Sequence, residues 1–357
     1  LHRRAAVARA SGLDLSGVYD AAAEHIMSRK GPGAVLFHGR RMPSPEVYAV
    51  ARHCTNGTEG VDSPLPGTLG FLATRAAGTL ALAEHAPYEA VTLLDRAHMW
   101  ATDAGLVDSL LWELTAIAYL RHGRVAEARR HFTVALDHEA DRWRRIRLYL
   151  RLSQVALALF DTRGCLDAVT SALRESGRPL PDDGWRLPLC TAWAVVTGSL
   201  RSGLGPRRRL SGEQLAHHRA LAMIYGLGMS VNQVSPRRAL ALHRHARPLV
   251  ARLRDTPEVS VLDAGREMVA AQLGQERVRR RLVRRLAHVR LDAYGAATLA
   301  GRQALACVLA DEDPRTTRLA AALTDHGRVI HIGDLLLSST TLLAELALRG
   351  RTEELLT

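Results

Sequence analysis

Apolar and small residues return along this chain at intervals that predict paired helices. Trp112, Ala116, Tyr119, Gly123, Ala128, Phe132 and Ala135 stand 4, 3, 4, 5, 4 and 3 residues apart. Steps of three and four keep side chains on one face of a helix. Gly123 marks a tight turn between the two helices. Shifted back by 38 residues, the pattern returns as Thr74, Gly78, Ala81, His85, Ala90, Leu94 and Ala97. Shifted forward by 40, it returns as Leu152, Ala156, Leu159, Arg163, Ala168 and Ala172. A single helical hairpin cannot bury its own apolar face, so copies must stack. The expected fold is all-α: a right-handed superhelix of antiparallel helix pairs, a solenoid.

The same reading divides the chain into four segments. Residues 1–68 form an N-terminal helical cap or the end of an upstream domain, with a short helix at Glu46–His53 and loop chemistry at Thr55–Gly60. Residues 69–176 hold the regular repeats, as pairs 70–84 with 87–103, 106–122 with 125–138, and 143–161 with 164–176. Residues 177–212 form an irregular linker: the Gly- and Pro-rich run Gly177–Gly184, one helix near 188–203, and Gly203–Arg209. Residues 213–357 carry weaker repeats, at 213–228 with 235–252 and 259–273 with 276–291, then helices near 293–310, 314–325 and 332–348. The chain opens on Leu1 rather than Met, and Leu348–Leu355 copies the turn and helix start of Arg121–Ala128. A piece of a longer protein is the expectation.

Composition supports helices over strands. Of the 357 residues, 47% are hydrophobic and only 4% aromatic, so the helix formers Ala and Leu fill the apolar positions. One short strand candidate exists, Ala34–Phe37. The net charge of +12 suits an anionic partner. Yet all but one of the 48 basic residues are Arg, with Lys30 the exception, and the coding bias of a GC-rich genome accounts for that better than a nucleic-acid partner, whose binders usually mix Lys with Arg. Cys54, Cys165, Cys190 and Cys307 lie far apart without metal spacing, so reduced, buried thiols in a cytoplasmic protein are expected. No signal peptide and no apolar run long enough to span a membrane is present, and no membrane association is expected.

Residues 70–176 resemble tetratricopeptide repeats. The best copy is 109–142, with Trp112, Ala116, Tyr119, Ala128, Phe132 and Ala135 at six of the eight family positions, while Thr115 replaces the family's leucine and Ala140 its closing proline. The repeats of 38–40 residues are longer than the family's usual length. Together with Ala172–Pro181 and the Arg-rich segment after it, they resemble the C-terminal halves of bacterial MalT-like and LuxR-type signalling ATPases. That resemblance implies a sensor or scaffold region apart from its nucleotide-binding domain.

The chain offers little chemistry. It has no GxxxxGK(S/T) loop and no HExxH, and Gly226-Leu227-Gly228 sits inside a helical pattern. His243 and His245 point to different helix faces, as do His217 and His218. Arg52-His53-Cys54, Asp182-Asp183 and Asp311-Glu312-Asp313 fit caps and loops better than catalysis or metal binding. No cofactor and no metal site is indicated. The strongest signal outside the core is an anion ridge of Arg277, Arg279, Arg280, Arg281, Arg284, Arg285 and Arg290, backed by Leu282, Leu286 and Val289. No aromatic residue nearby would stack a base, which speaks against nucleic acid. Arg207–Arg209 is a similar, less specific run.

In the resembled family the first helix of each pair lines the concave face. This implies a ligand groove of Arg75, Thr79, Glu113, Ile117, Leu120, Arg121, Ser153, Leu157, Phe160 and Asp161. Arginine, glutamate and apolar residues together suit a peptide or helix. The expected function is a helical-repeat scaffold or sensor binding a protein, peptide or small effector in bacterial signalling or transcriptional regulation. An edge that pairs with itself would give a homodimer. The alternative is an enzyme or enzyme subunit of a biosynthetic pathway, with His98, His122, Glu113 or Trp112 in a pocket between helices. A weaker alternative is nucleic-acid binding through the Arg-rich helix.

Overall fold

The computed structural model describes residues 47–52, 67–103, 105–180, 185–193, 196, 212–231, 236–253, 257–286, 299 and 303. Most of the expected cap at 1–68, the strand candidate, Cys54, Cys307, Asp182-Asp183, Arg207–Arg209, Val289, Arg290 and Asp311–Asp313 lie outside them.

The described structure is all-α, with no strand among these residues. Ten helices are defined: α1 (Gly67–Ala83), α2 (Pro87–Asp103), α3 (Ser109–Arg121), α4 (Val125–Asp137), α5 (Arg142–Ala158), α6 (Thr162–Glu175), α7 (Gly212–Val231), α8 (Pro236–Leu253), α9 (Pro257–Gln272) and α10 (Glu276–Leu286). Shorter helical stretches cover 47–52 and 186–193. The chain forms two compact units, Leu1–Glu139 and Ala140–Thr357.

In the first unit α1 packs on α2, α2 on α3, and α3 on α4. This is the consecutive packing of a helical repeat. Thr74, Ala81, Ala90, Leu94, Ala97, Ala116, Ala128, Phe132 and Ala135 are all wholly buried, as the periodicity requires. In the second unit α5 packs on α6, and α7 touches α5, α6, α8 and α9, while α10 packs on α9. Its core joins Ile146, Cys165, Val169 and Leu173 to Leu221, Ile224, Tyr225, Leu242 and Leu262.

Sequence fixes where each helix begins and ends. Asp108 accepts from Leu110 N at 2.9 Å and caps α3. Asp141 accepts from Arg144 N at 2.7 Å and caps α5. Asp161 accepts from Gly164 N at 2.8 Å and caps α6. Each carboxylate satisfies a backbone donor the helix cannot. Pro87, Pro236 and Pro257 open α2, α8 and α9, where a missing N–H costs nothing.

The turns reveal the true repeat length. Between α3 and α4, Gly123 takes φ +85° and Arg124 N donates to Tyr119 O at 2.9 Å, a left-handed helix end. The same bond recurs as Ala86 N to Ala81 O at 2.9 Å beside His85 (φ +59°), and as Asp161 N to Ala156 O at 2.8 Å beside Phe160 (φ +55°). His85 precedes Gly123 by 38 residues, as expected, but Phe160 follows it by 37. The forward shift of 40 is therefore corrected to 37. Ala116, Ala128, Phe132 and Ala135 then match Ser153, Cys165, Val169 and Ala172, all buried.

The thiols depart from expectation in one respect. Cys165 is buried, and burial pushes its pKa up to about 12, whereas Cys190 is exposed.

Candidate functional site

The groove residues read from the sequence fall into different roles. Arg75 donates from Nη1 to Asp108 Oδ2 at 2.5 Å, tying α1 to the cap of α3, and its guanidinium stands 5.0 Å from the Phe71 ring. Thr79 is exposed, and its hydroxyl donates to Arg75 O at 2.8 Å. Arg121 donates to Leu82 O at 2.6 Å, bridging α3 to α1. Leu120 is buried, while Glu113 and Ile117 are half-buried on α3. In the second unit Ser153 is wholly buried and donates to Leu150 O at 2.7 Å, and half-buried Leu157 packs on the core. Asp161 is the α6 cap, and Phe160 is 64% exposed at the turn. With the spacing at 37, the positions equivalent to Glu113 and Ile117 are Leu150 and Gln154.

Two of the pocket candidates, His98 and Trp112, join His131 and Tyr119 in a partly buried ring stack that links three helices. The His98 ring of α2 lies 4.1 Å from Trp112 of α3, and His131 of α4 lies 5.2 Å from Trp112 and 5.0 Å from Tyr119. Thr115 Oγ1 already donates to Leu111 O at 2.9 Å, so His98 Nε2, 3.0 Å away, carries the hydrogen and donates to it. Tyr119 Oη donates to Asp95 Oδ2 at 2.8 Å. Burial, reinforced by His131, lowers the His98 pKa to about 4, and Asp108 opposes the shift weakly. Burial also lowers His131 and raises Tyr119, the latter helped by Asp95. The stack keeps two neutral imidazoles among aromatic rings and presents no nucleophile–base couple. His122 stands apart and exposed, its ring 5.7 Å from Tyr88. Sequence reading picked out His98 and Trp112 but missed His131, a polar residue directly before Phe132 of α4 and so off its apolar stripe.

The arginine helix α10 is partly committed to its own unit. Arg279 is buried rather than outward-facing and donates to Glu276 Oε2 at 2.9 Å. Arg280 donates to Glu276 Oε1 at 2.5 Å. Arg285 lies 3.2 Å from Asp263 Oδ2 of α9. Arg277, Arg281 and Arg284 are exposed at i, i+4 and i+7, one outward stripe. Leu282 is half-buried and Leu286 buried behind them.

A second surface feature was not read from the sequence. Trp185, Leu189, Trp193 and Val196, at steps of 4, 4 and 3, are 71%, 59%, 71% and 51% exposed. Leu187 and Thr191 of the same stretch are buried. The helix over 186–193 thus anchors one face and shows an apolar stripe on the other. Arg186 flanks the stripe, 5.5 Å from the Trp185 ring. The signal lay in Trp185, Leu189 and Trp193 themselves, at four-residue steps within a segment read as linker.

Among the described residues no group of His, Cys, Asp and Glu is arranged to hold a metal ion. No described helix is long and apolar enough to cross a membrane. Comparison of the chain with known protein families, characterised proteins and solved structures gave no match.

Proposed function

We propose that this chain is a helical-repeat binding module whose partner is a protein presenting an amphipathic helix with acidic flanks. The observation that carries the reading is the exposed stripe of Trp185, Leu189, Trp193 and Val196. Apolar patches of this kind mark association surfaces, and tryptophans dominate the binding energy of such surfaces. Residues at i, i+4 and i+8 present anchors in the register that a second helix matches. Arg186 beside the stripe and the net charge of +12 favour acidic residues at the partner's edges.

Two further features support the reading. Consecutive helix pairs are the framework on which repeat proteins display extended surfaces. On α3, in the first unit, Glu113 and Ile117 keep partial exposure, as a groove for a separate peptide requires. The finer reading, a sensor or scaffold of a bacterial MalT-like or LuxR-type regulator, rests on the repeat's resemblance alone. The enzyme alternative rests on His98, His122, Glu113 or Trp112, but His98 and Trp112 serve the ring stack, His98 is already committed to Thr115, and His122 is exposed away from it.

A photo-reactive phenylalanine analogue at position 189, introduced into the full chain and illuminated in native extract, tests the proposal. The expected product is a cross-link to one protein at a helical, acid-flanked segment, absent when the analogue stands at exposed Leu273. Cross-links that are absent, or equal at the two positions, overturn it.

A further inference from the structure

The arginines of α10 divide by partner. The helix holds six of them in 11 residues, with Glu276 as its single acid. Arg279 and Arg280 share Glu276, at 2.9 and 2.5 Å, and Arg285 lies 3.2 Å from Asp263 of α9. Arg277, Arg281 and Arg284 form no ion pair among the described residues. Every exposed residue of the helix is an arginine, so its outward face shows no apolar side chain and no exposed carboxylate.

This arrangement works against the helix that carries it. Like charges three and four residues apart repel, as Arg277 does Arg281, and Arg281 does Arg284 and Arg285. Arg277 also stands in the first turn, where the helix dipole disfavours a cation, whereas Arg284 and Arg285 stand in the last turn, where it favours one. An anionic partner laid along this face relieves the repulsion and neutralises the misplaced charge at Arg277.

Geometry selects the partner. At a rise of about 1.5 Å per residue, positions 277 and 281 stand about 6 Å apart along the axis, and 281 and 284 about 4.5 Å. A second helix returns its own side chains to one face at the same two steps. Three carboxylates on it meet three guanidiniums in register, as charge-assisted pairs. An extended peptide returns to one face at an even spacing of about 6.6 Å and misses the shorter step. A helix lying in a lipid surface buries apolar side chains there, and α10 exposes none. Single-stranded nucleic acid is held by stacking on aromatic rings, and α10 contains none.

We infer that Arg277, Arg281 and Arg284 form a docking face for an acidic helix of a partner protein, its carboxylates spaced three and four residues apart. The inference is independent of the reading built on Trp185, Leu189, Trp193 and Val196, since it uses none of those residues, and either stands if the other fails.

Fluorescence anisotropy of a labelled alanine-based peptide of about 20 residues, long enough to be helical alone, tests it against the full chain. The probe carries glutamates at i, i+3, i+4 and i+7; a second peptide of equal composition spreads them around all faces. Saturable binding of the first, tighter than of the second, is expected. Raising the ionic strength from about 0.01 M to 0.15 M shortens screening from about 30 to 8 Å and weakens it about tenfold. Arg277→Gln/Arg281→Gln/Arg284→Gln costs about tenfold or more in affinity at an unchanged Tm, and Arg281→Gln alone about twofold to threefold. Arg130→Gln/Arg147→Gln/Arg237→Gln removes the same charge from exposed positions elsewhere and leaves affinity within about twofold of the wild type. No saturable binding, equal affinity for the two peptides, or equal losses in the two triple variants overturns the inference. Duplex DNA or phosphatidylserine vesicles that bind more tightly than the peptide, and lose that binding in the α10 triple variant, overturn the assignment to an acidic helix.

Discussion

Gly78 of α1 lies directly against Leu94 of α2: a Cβ built on Gly78 would stand 2.6 Å from Leu94 Cγ. Leu94 is wholly buried, so its side chain has no free space to enter. The hydrogen of glycine is what lets the two helices approach. Gly70 meets the Trp100 indole in the same way. Gly78→Ala is expected to destabilise the first unit by about 1–3 kcal/mol through overpacking, despite alanine's better helix propensity. Urea titration followed by circular dichroism measures it; an unchanged or raised midpoint would mean the helices can separate freely.

The buried imidazoles make stability depend on pH. His98 has a folded-state pKa of about 4 against 6.5 for an exposed ring. As pH falls, the unfolded chain therefore takes up this proton first. The stabilisation is fully present above pH 6.5 and is lost progressively as pH falls towards 4. Tm measured between pH 7 and pH 5 is expected to decline, and His98→Gln, which keeps an N–H donor for Thr115, is expected to flatten that decline. A slope identical in the two proteins would show that His98 does not contribute to it.

Phe160 carries a bulky side chain in a left-handed conformation, φ +55°, while its ring is 64% exposed. Glycine adopts that conformation without strain. Phe160→Gly is expected to leave stability unchanged or raise it by up to about 1 kcal/mol, the relief of strain offsetting the added freedom of the unfolded chain. A loss of 2 kcal/mol or more, on the order of a buried aromatic, would show that the ring packs in the fold.

That residue also explains where the sequence misled. Helix positions were legible because Ala, Leu and Phe recur at three and four residues: the expected 87–103 is α2 exactly as described, and the expected 213–228 and 235–252 are α7 and α8 within a turn. The spacing of the third repeat was not, because Phe160 occupies the turn where Gly123 stands in the second. With no glycine to mark it, alignment drifted to Arg163, three residues on, and carried Ser153, Phe160 and Asp161 into the groove. Tyr225 was illegible for another reason. The run Ala220–Met229 is buried on every face, so α7 has no amphipathic stripe to show which side chain meets which neighbour.

Arg285 and Asp263 separate the working part of α10 from its solvated part. Asp263 is buried, its carboxyl pKa raised by burial and held down by Arg285, 3.2 Å away. Arg285→Gln leaves that carboxylate unpaired at pH 7 and is expected to cost about 1–2 kcal/mol, a loss that shrinks at lower pH as Asp263 protonates. Arg281→Gln should stay within about 0.5 kcal/mol of the wild type. Chemical denaturation of both variants at two pH values checks the pair; equal small effects would mean that Asp263 is accommodated without Arg285.

The docking reading is tested most directly by affinity. With the cross-linked partner purified, its binding to the wild-type chain is compared by calorimetry with binding to Trp185→Ala/Trp193→Ala, both side chains being 71% exposed. Two anchor tryptophans predict a loss of about 100-fold or more, with an unchanged Tm. An affinity within about threefold of the wild type would contradict the account.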